Sequence, residues 1–245
     1  MDAAAIRIAM WSGPRNISTA MMRSFEARGD AAVIDEPFYA AYLDRTGLEH
    51  PMRSEVLASQ SRDPQAVASM LVGPVPGGKS LWYQKHMTLH LLDDFERGWM
   101  SQMQNAFLIR EPQAVLASYA RKRQEVTSAD LGFVQQRDLF EREADRLGAA
   151  PPVVDAADLL ANPPRILERL CTALGIPYTP SMLRWSLGPR CTDGVWAPAW
   201  YHCVERSTGF ATPTPARAVP LSANLQELVD EAQPHYHALR VHRLL

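Results

Sequence analysis

The sequence predicts one α/β domain over residues 1–245, built as three layers, α/β/α, around a mainly parallel central sheet. Three observations support this fold class. Short apolar runs alternate along the chain with segments of helical spacing, which is typical of strands joined by crossover helices. Apolar residues make up 47% of the 245 residues, enough for a sizeable core in a domain of this length. Polar residues cluster where the apolar runs end, which is where parallel sheets bind ligands.

The predicted strands are five short apolar runs. They cover residues 6–10, 31–35, 81–84, 106–109 and 152–155. The predicted helices carry apolar residues at helical spacing. They cover residues 19–28, 64–71, 88–97, 115–121, 130–147, 164–174 and 224–239. Residues 40–80 are otherwise irregular, and no repeat, linker or low-complexity segment divides the chain.

Composition argues against several classes of protein. The net charge of −2 disfavours a broad nucleic-acid surface, and no apolar stretch approaches the ~18 residues that a membrane span needs. The cysteines Cys171, Cys191 and Cys203 are far apart and have no histidine at ligand spacing, so neither a disulfide framework nor a metal site is predicted. The first residues predict a strand and not a secretory leader, so we expect a cytoplasmic protein.

The loop after the first predicted strand carries an anion-binding pattern. Gly13 permits close turns, Arg15 can bind phosphate oxygens through two N–H groups, and Ser18 and Thr19 lie where a helix begins. Free backbone N–H groups and a partial positive charge at a helix start attract anions. An ordinary helix cap by Ser18 or Thr19 is the alternative explanation.

A second loop, at residues 73–80, matches the phosphate-loop pattern GxxxxGK[ST] letter for letter. That pattern requires a strand before it and a helix after it. Here a helical segment precedes the match and a β-rich run follows it, and two prolines remove backbone donors. We therefore predict a surface turn at this position and not a nucleotide site.

The fourth predicted strand is followed by Arg110, Pro112 and Ser118. Proline is favoured in the first turn of a helix, so a helix is expected to begin near Pro112. This arrangement, RxPxxxxxS after an apolar strand, resembles the 3′-phosphate motif of the sulfotransferase superfamily, whose donor is 3′-phosphoadenosine 5′-phosphosulfate (PAPS). The resemblance implies that Arg110 and Ser118 hold the 3′-phosphate, and that the fold is P-loop-NTPase-like.

The first loop is similar to the 5′-phosphosulfate loop of the same family, which commonly reads GxPRSGST. Here Asn16 and Ile17 replace the Ser-Gly pair, and Arg15 falls at the basic position beside the transferred group. The resemblance implies that the donor is bound by the whole loop, namely Gly13, Pro14, Arg15, Asn16, Ile17, Ser18 and Thr19.

Downstream segments extend the resemblance over roughly residues 6–180. Residues 155–163, followed by 170–177, are similar to the Y-E-D-L…P…L-G-I segment of the family. The tail resembles a less characterised bacterial branch, in which Arg206 and Gly209 would belong to a loop that closes over the nucleotide. The aromatic residues Trp196, Trp200, Tyr201 and Phe210 either line an acceptor or adenine pocket or pack in the core.

The function implied is transfer of a sulfuryl group from PAPS to a hydroxyl or amine of a small-molecule acceptor, by in-line displacement and without a metal. Such transfer depends on positioning and on electrostatic stabilisation, and the acceptor needs a base. Glu36, at the end of the second predicted strand, and His86, after the third, are the two candidates. Lys85 is expected to hold sulfate oxygens.

Two other functions stay open at this point. A small-molecule kinase would need a magnesium-binding aspartate at a strand end, and Asp35 is the best candidate. A nucleotide-binding module without turnover would account for the departures at Asn16 and Ile17. A pyridoxal-phosphate enzyme is disfavoured, because the sequence has three lysines and none lies in a phosphate-binding pattern. Whether the chain is a monomer or a homodimer is left open.

Overall fold

A five-stranded parallel sheet forms the centre of the protein in the computed structural model, which describes residues 5–119, 126–211 and 221–245. The strand order is β2-β3-β1-β4-β5, and every neighbouring pair is parallel. The strands are β1 (Ile6–Ser12), β2 (Ala31–Asp35), β3 (Leu81–Met87), β4 (Gln104–Ile109) and β5 (Val153–Asp155). With β1 in the middle, the loop after it meets the ends of β3 and β4.

Helices connect and cover the strands. Those before the third strand are α1 (Ser18–Glu26), α2 (Tyr39–Thr46), α3 (Arg53–Ser59) and α4 (Pro64–Leu71). Those between β4 and β5 are α5 (Pro112–Tyr119), α6 (Ser128–Leu131) and α7 (Phe133–Leu147). The remainder are α8 (Ala156–Ala161), α9 (Pro163–Ala173), α10 (Ala197–Trp200), α11 (His202–Glu205) and α12 (Ala223–Arg240).

Each face of the sheet buries its own apolar layer, because successive side chains of a strand point to opposite faces. On one face, Trp11 and Phe107 pack with α4, α5, α7 and α12. On the other, Met10 and Leu108 pack with α1 and α9. These layers confirm the α/β/α fold class.

Most predicted elements are found near their predicted positions. The bounds of β2 and α4 agree with the prediction. The turn at residues 73–80 lies between α4 and β3, as predicted, and is largely exposed. Residues 120 and 121 of the predicted helix 115–121 lie outside the described residues.

The helix predicted at residues 88–97 is wrong. Only a 3-10 turn, Thr88–His90, and irregular backbone occur there. The apolar residues that suggested helical spacing, Leu91 and Phe95, are buried in the core without forming a helix. The helix predicted at 130–147 is interrupted at Gly132, which adopts a left-handed conformation between α6 and α7 (φ 69°). None of the helices within residues 5–119, 126–211 and 221–245 combines the length and the hydropathy that a membrane-spanning helix requires.

Candidate active site at the carboxyl edge of the sheet

A cavity of about 340 Å³ opens beyond the carboxyl ends of the strands, where parallel sheets place their ligand sites. Its lining residues come from segments far apart in sequence. We call the part lined by the loop after β1, with Arg110 and Ser118, one end of the cavity. We call the part lined by Tyr39, Trp196 and their neighbours the other end. Glu36 and Lys85 line the cavity as well.

Arg15, Arg110 and Ser118, which the sequence places on two separate motifs, meet at one end of this cavity. The Nε of Arg15 donates to the Ser118 hydroxyl at 3.1 Å, and Arg110 Nη1 donates to the Arg15 carbonyl at 2.6 Å. The two loops are therefore tied together by the same residues that the motifs single out. Two guanidinium groups facing one cavity form an anion-binding arrangement.

The loop after β1 has an unusual backbone. Arg15 and Ile17 both adopt left-handed conformations, with φ of 57° and 52°. This conformation disfavours a β-branched residue such as Ile17, which stands where the family loop has glycine. The amide of Asn16 donates to the Leu108 carbonyl and fastens the loop to β4. Asn16 is buried, and its Oδ1 has no hydrogen-bond partner among the described residues.

The start of α1 faces the same end of the cavity, with Pro14, Ser18 and Thr19 in the lining. No side-chain cap from the described residues occupies this helix start, and its first turn contains no acidic residue. The ordinary-cap explanation is therefore not supported. Gly13 does not line the cavity, but a Cβ at this position would lie 2.8 Å from the Leu131 carbonyl oxygen, so only glycine fits.

A buried ion cluster contributes to the lining of the same cavity. Lys85 Nζ donates to Asp35 Oδ1 at 2.8 Å, to Glu36 Oε1 at 2.6 Å and to the Tyr201 hydroxyl at 2.7 Å. The parallel register pairs Asp35 directly with Lys85, which explains why these side chains meet. Glu36 has a left-handed backbone (φ 41°), a form of local strain that is concentrated at functional sites.

The tail of the chain closes this cluster. The Tyr201 hydroxyl donates to Asp35 Oδ2 at 2.6 Å and accepts from Trp196 Nε1 at 3.1 Å. The backbone N–H of Gly194 donates to the same Asp35 oxygen at 3.0 Å. Trp196 and Tyr201 line the cavity and are also packed in the core. For these two residues, pocket lining and core packing therefore do not exclude each other.

Burial and charge shift the pKa values of this cluster. Burial raises the pKa of Glu36, and the Lys85 ammonium opposes the increase without cancelling it. Burial alone would lower the pKa of Lys85, but the charges of Asp35 and Glu36 raise it well above its ordinary value. Lys85 therefore remains charged, while Glu36 has a more basic carboxylate than an exposed glutamate.

The structure corrects the prediction of His86 as a base. Adjacent strand residues point to opposite faces, so His86 points away from the cavity when Lys85 points into it. The His86 ring stacks on Trp11 with centroids 4.4 Å apart, and burial lowers its pKa to about 3. An uncharged, weakly basic imidazole inside the core cannot serve an acceptor in the cavity.

A histidine that the sequence left unassigned lies in the cavity instead. His90 is buried and stacks between Tyr39 and Tyr42, with ring centroids at 4.4 and 4.8 Å. Its Nδ1 lies 3.8 Å from Glu36 Oε2. The alternation of strand faces would have favoured Lys85 over His86, but the 3-10 turn that brings His90 back to the cavity has no clear sequence signal.

The two predicted tail residues differ in position. Gly209 lines the cavity, and a Cβ there would lie 2.9 Å from the Leu183 carbonyl oxygen. Arg206 is exposed and is not among the described lining residues, whereas its neighbour Ser207 lines the cavity. Among the described residues, no group of three or more His, Cys, Asp or Glu side chains is arranged to hold a metal ion.

Two curated proteins of Arabidopsis thaliana resemble this chain in sequence. They are named Branched-chain-amino-acid aminotransferase-like protein 1 and protein 2, and are 37% and 35% identical to it over 234 residues, or 95% of the chain. The chain spans 41% of the length of each, so their names describe considerably longer proteins.

Solved structures share the fold at low sequence identity. The sulfotransferase domain of the Synechococcus PCC 7002 olefin synthase aligns with a TM-score of 0.56 at 18% identity, covering 97% of both chains. A sulfotransferase from Alicyclobacillus acidocaldarius aligns with a TM-score of 0.55 at 12% identity, covering 99% of this chain and 98% of the other. At these identities the likeness concerns the fold alone.

The sulfotransferase domain from the curacin biosynthetic pathway aligns with a TM-score of 0.50 at 16% identity, covering 95% of this chain and 99% of the other. A family sequence model described as "Sulfotransferase domain" matches residues 6–243, nearly the whole chain. This match shows that the chain belongs to the sulfotransferase superfamily.

Proposed function

We propose that this protein transfers a sulfuryl group from PAPS to a small-molecule acceptor. The observation that carries the proposal is the meeting of Arg15, Arg110 and Ser118 at one end of a cavity that also contains Glu36 and Lys85. A donor with two separate phosphate positions requires two anion sites next to one reacting centre. We assign one of these sites to each motif loop.

The residues present fit the donor. Arg110 and Ser118 would hold the 3′-phosphate, while Arg15 and the backbone N–H groups at the start of α1 would hold the phosphosulfate. The buried Oδ1 of Asn16 has no partner among the described residues and can only accept, so of the donor's groups it suits a hydroxyl or an amino group and not a phosphate oxygen. Gly209 also lines the cavity, and the absence of a side chain lets its backbone pack against the Leu183 carbonyl.

The chemistry needed from the protein is positioning, charge stabilisation and proton removal. When bound, the donor supplies an electrophilic sulfur and a phosphate leaving group. The acceptor oxygen forms a bond to sulfur as the bond between sulfur and the bridging phosphate oxygen breaks, and the acceptor proton passes to Glu36. Arg15 stabilises the charge that develops on the leaving phosphate. The three N–H groups of Lys85 already donate to Asp35, Glu36 and Tyr201, so we assign Lys85 to holding Glu36 in place and not to the sulfuryl oxygens that the sequence suggested.

A kinase function gains no support from the site. It would require Asp35 to bind magnesium, yet Asp35 already accepts hydrogen bonds from Lys85, Tyr201 and the Gly194 N–H. A pyridoxal-phosphate reaction would require a free lysine amine. The Lys85 amine donates to three oxygens, and Lys79 is exposed and donates to the Gly29 carbonyl. Lys122 lies outside the described residues.

The test is thermal stabilisation by 3′,5′-diphosphoadenosine (PAP), the donor product, against ATP with magnesium. We expect PAP without metal to raise Tm, because a ligand at a hundred times its Kd adds about 2.7 kcal/mol to the free energy of unfolding. We expect ATP with magnesium to have little effect. Transfer of sulfuryl from PAPS to an acceptor would then establish turnover. Stabilisation by ATP with magnesium and none by PAP would contradict the proposal.

A further inference from the structure

Residues 190–194, which we call the strap, belong to no helix or strand. Without the backbone hydrogen bonds of such an element, the strap depends on side-chain contacts for its position. These contacts join it to α1. Asp193 Oδ2 accepts from Arg23 Nη2 at 2.6 Å, and the Thr192 hydroxyl donates to Glu26 Oε1 at 2.7 Å. The strap is therefore attached to the helix whose first turn lines the cavity.

The strap also contacts the buried ion cluster. The Gly194 N–H donates to Asp35 Oδ2 at 3.0 Å. The other oxygen of Asp35 accepts from Lys85 Nζ at 2.8 Å, and the same amine donates to Glu36 Oε1 at 2.6 Å. Because Gly194 is the last residue of the strap, a continuous path of polar contacts leads from α1 through the strap to the carboxylate proposed as the base.

The ion pair at the start of this path is buried. The side chains of Arg23 and Asp193 are 1% and 4% exposed. Arg23 Nη1 and Asp193 Oδ1 have no hydrogen-bond partner among the described residues. Removing two charges from water is costly, and apolar residues of similar volume are often at least as stabilising as a buried ion pair. Stability alone therefore does not account for this pair, whereas a requirement for fixed geometry does.

Helix α1 is the fixed side of this connection. Its residues Met21 and Phe25 are fully buried in the core. The strap packs closely against the tail of the chain, because a Cβ on Gly194 would overlap the Trp196 ring. Trp196 in turn donates to the hydroxyl of Tyr201, the second group of the tail that binds the ion cluster. A displaced strap would therefore disturb both tail groups that bind the cluster.

We propose, on the basis of the function proposed above, that Arg23, Asp193 and Gly194 position the base. Arg23 fixes Asp193 against α1, and the Gly194 N–H then holds the ion cluster and with it Glu36. The three residues are not among the described lining residues of the cavity. They are positioning residues, whose effect reaches the reaction by setting where Glu36 lies relative to a donor bound at the start of α1.

Two variants separate this positioning from stability. Asp193→Asn keeps the size of the side chain but leaves Arg23 buried without its counter-ion, so urea unfolding should show a less stable protein. Arg23→Met combined with Asp193→Asn removes both charges and should recover most of this loss. Glu141→Gln, which removes the charge of an exposed ion pair on α7, is the matched control.

Sulfuryl transfer in these variants is followed as sulfate release from PAPS, with water as the acceptor, at a temperature where each variant is folded. We expect both strap variants to lose about tenfold to a hundredfold in kcat with an unchanged KM for PAPS, because α1 stays in place while the base does not. A pair that only stabilises the fold would give wild-type kcat in the double variant. That result, or a raised KM with normal kcat, overturns the proposal.

Hydrogen exchange measured by mass spectrometry locates the change without requiring turnover. In the double variant, exchange should increase in residues 35–39 and 194–205, while α1 keeps its protection. An equal increase over the whole chain, or no increase in these two segments, overturns the proposal.

These measurements separate the proposal from the function on which it rests. If the wild type neither binds PAP nor releases sulfate from PAPS, the donor assignment fails, and the exchange pattern alone decides whether the strap holds the ion cluster. If the wild type releases sulfate and the double variant does so equally well, the strap has no positioning role and sulfuryl transfer stands.

Discussion

The two ends of the cavity are built in different ways. The end proposed to bind the nucleotide, called the nucleotide end, consists of two short motifs, each following a central strand, which are joined by the contacts of Arg15 with Ser118 and Arg110. The end proposed to bind the acceptor, called the acceptor end, combines β2, β3, α2 and a tail more than a hundred residues away in sequence, joined through Lys85, Asp35 and Tyr201. The residues of the first end can be identified from short sequence motifs, whereas those of the second come from distant segments that only folding brings together.

The largest effect should come from the base. Glu36→Gln keeps the shape of the side chain but cannot accept the acceptor proton, so we expect kcat to fall by roughly 10²–10⁴ with PAP affinity unchanged. Steady-state kinetics and PAP titration measure the two quantities. Exposed Glu168→Gln should behave as wild type. Near-normal kcat in Glu36→Gln would remove the catalytic role from this end of the cavity.

The ion cluster should also contribute to stability. Lys85→Met leaves two buried carboxylates without their cation, so the free energy of unfolding should fall by about 3–5 kcal/mol. Lys79→Met, at an exposed lysine that donates to one backbone carbonyl, should change it little. Urea unfolding of both variants tests the difference. Equal stability would mean that the acceptor end is not held together by this cluster.

The pH dependence of activity tests the environment of Glu36. The base must be deprotonated, so kcat/KM should be constant at high pH and fall about tenfold per pH unit below the pKa of Glu36. Burial places that pKa above the ordinary value of 4.5. The acidic limb should therefore appear above pH 4.5 and disappear in Glu36→Gln. Activity that persists unchanged below pH 4.5 would contradict the assignment.

The smallest effect concerns the nucleotide loop. Alanine normally stabilises a helix more than glycine does. Ile17, however, precedes α1 with a φ of 52°, a conformation that strains alanine but not glycine. Both Ile17→Gly and Ile17→Ala lose the packing of the Ile17 side chain. We expect the glycine variant to be more stable than the alanine variant by about 1 kcal/mol, as read from thermal unfolding. The reverse order would remove the case for local strain.

The sheet could be predicted from the sequence because apolar runs such as that of β2 are a local pattern. Arg110 and Ser118 were identified by their resemblance to a family motif, and their binding of a nucleotide stays a prediction. His86 is not the base because strand alternation directs its ring into the core, against Trp11, while the adjacent Lys85 points into the cavity. His90 and the Lys85–Asp35–Tyr201 contacts could not be predicted, since they depend on a 3-10 turn and on a tail that packs across the strand ends.

Calorimetric titration with PAP tests the division between the two ends most directly. Arg110→Ala should weaken PAP binding by about tenfold to a hundredfold, because a charged hydrogen-bonding group is lost from the nucleotide end. Glu36→Gln should bind PAP as the wild type does, and exposed Arg169→Ala serves as control. Wild-type PAP affinity in Arg110→Ala, or loss of binding in Glu36→Gln, would contradict the account.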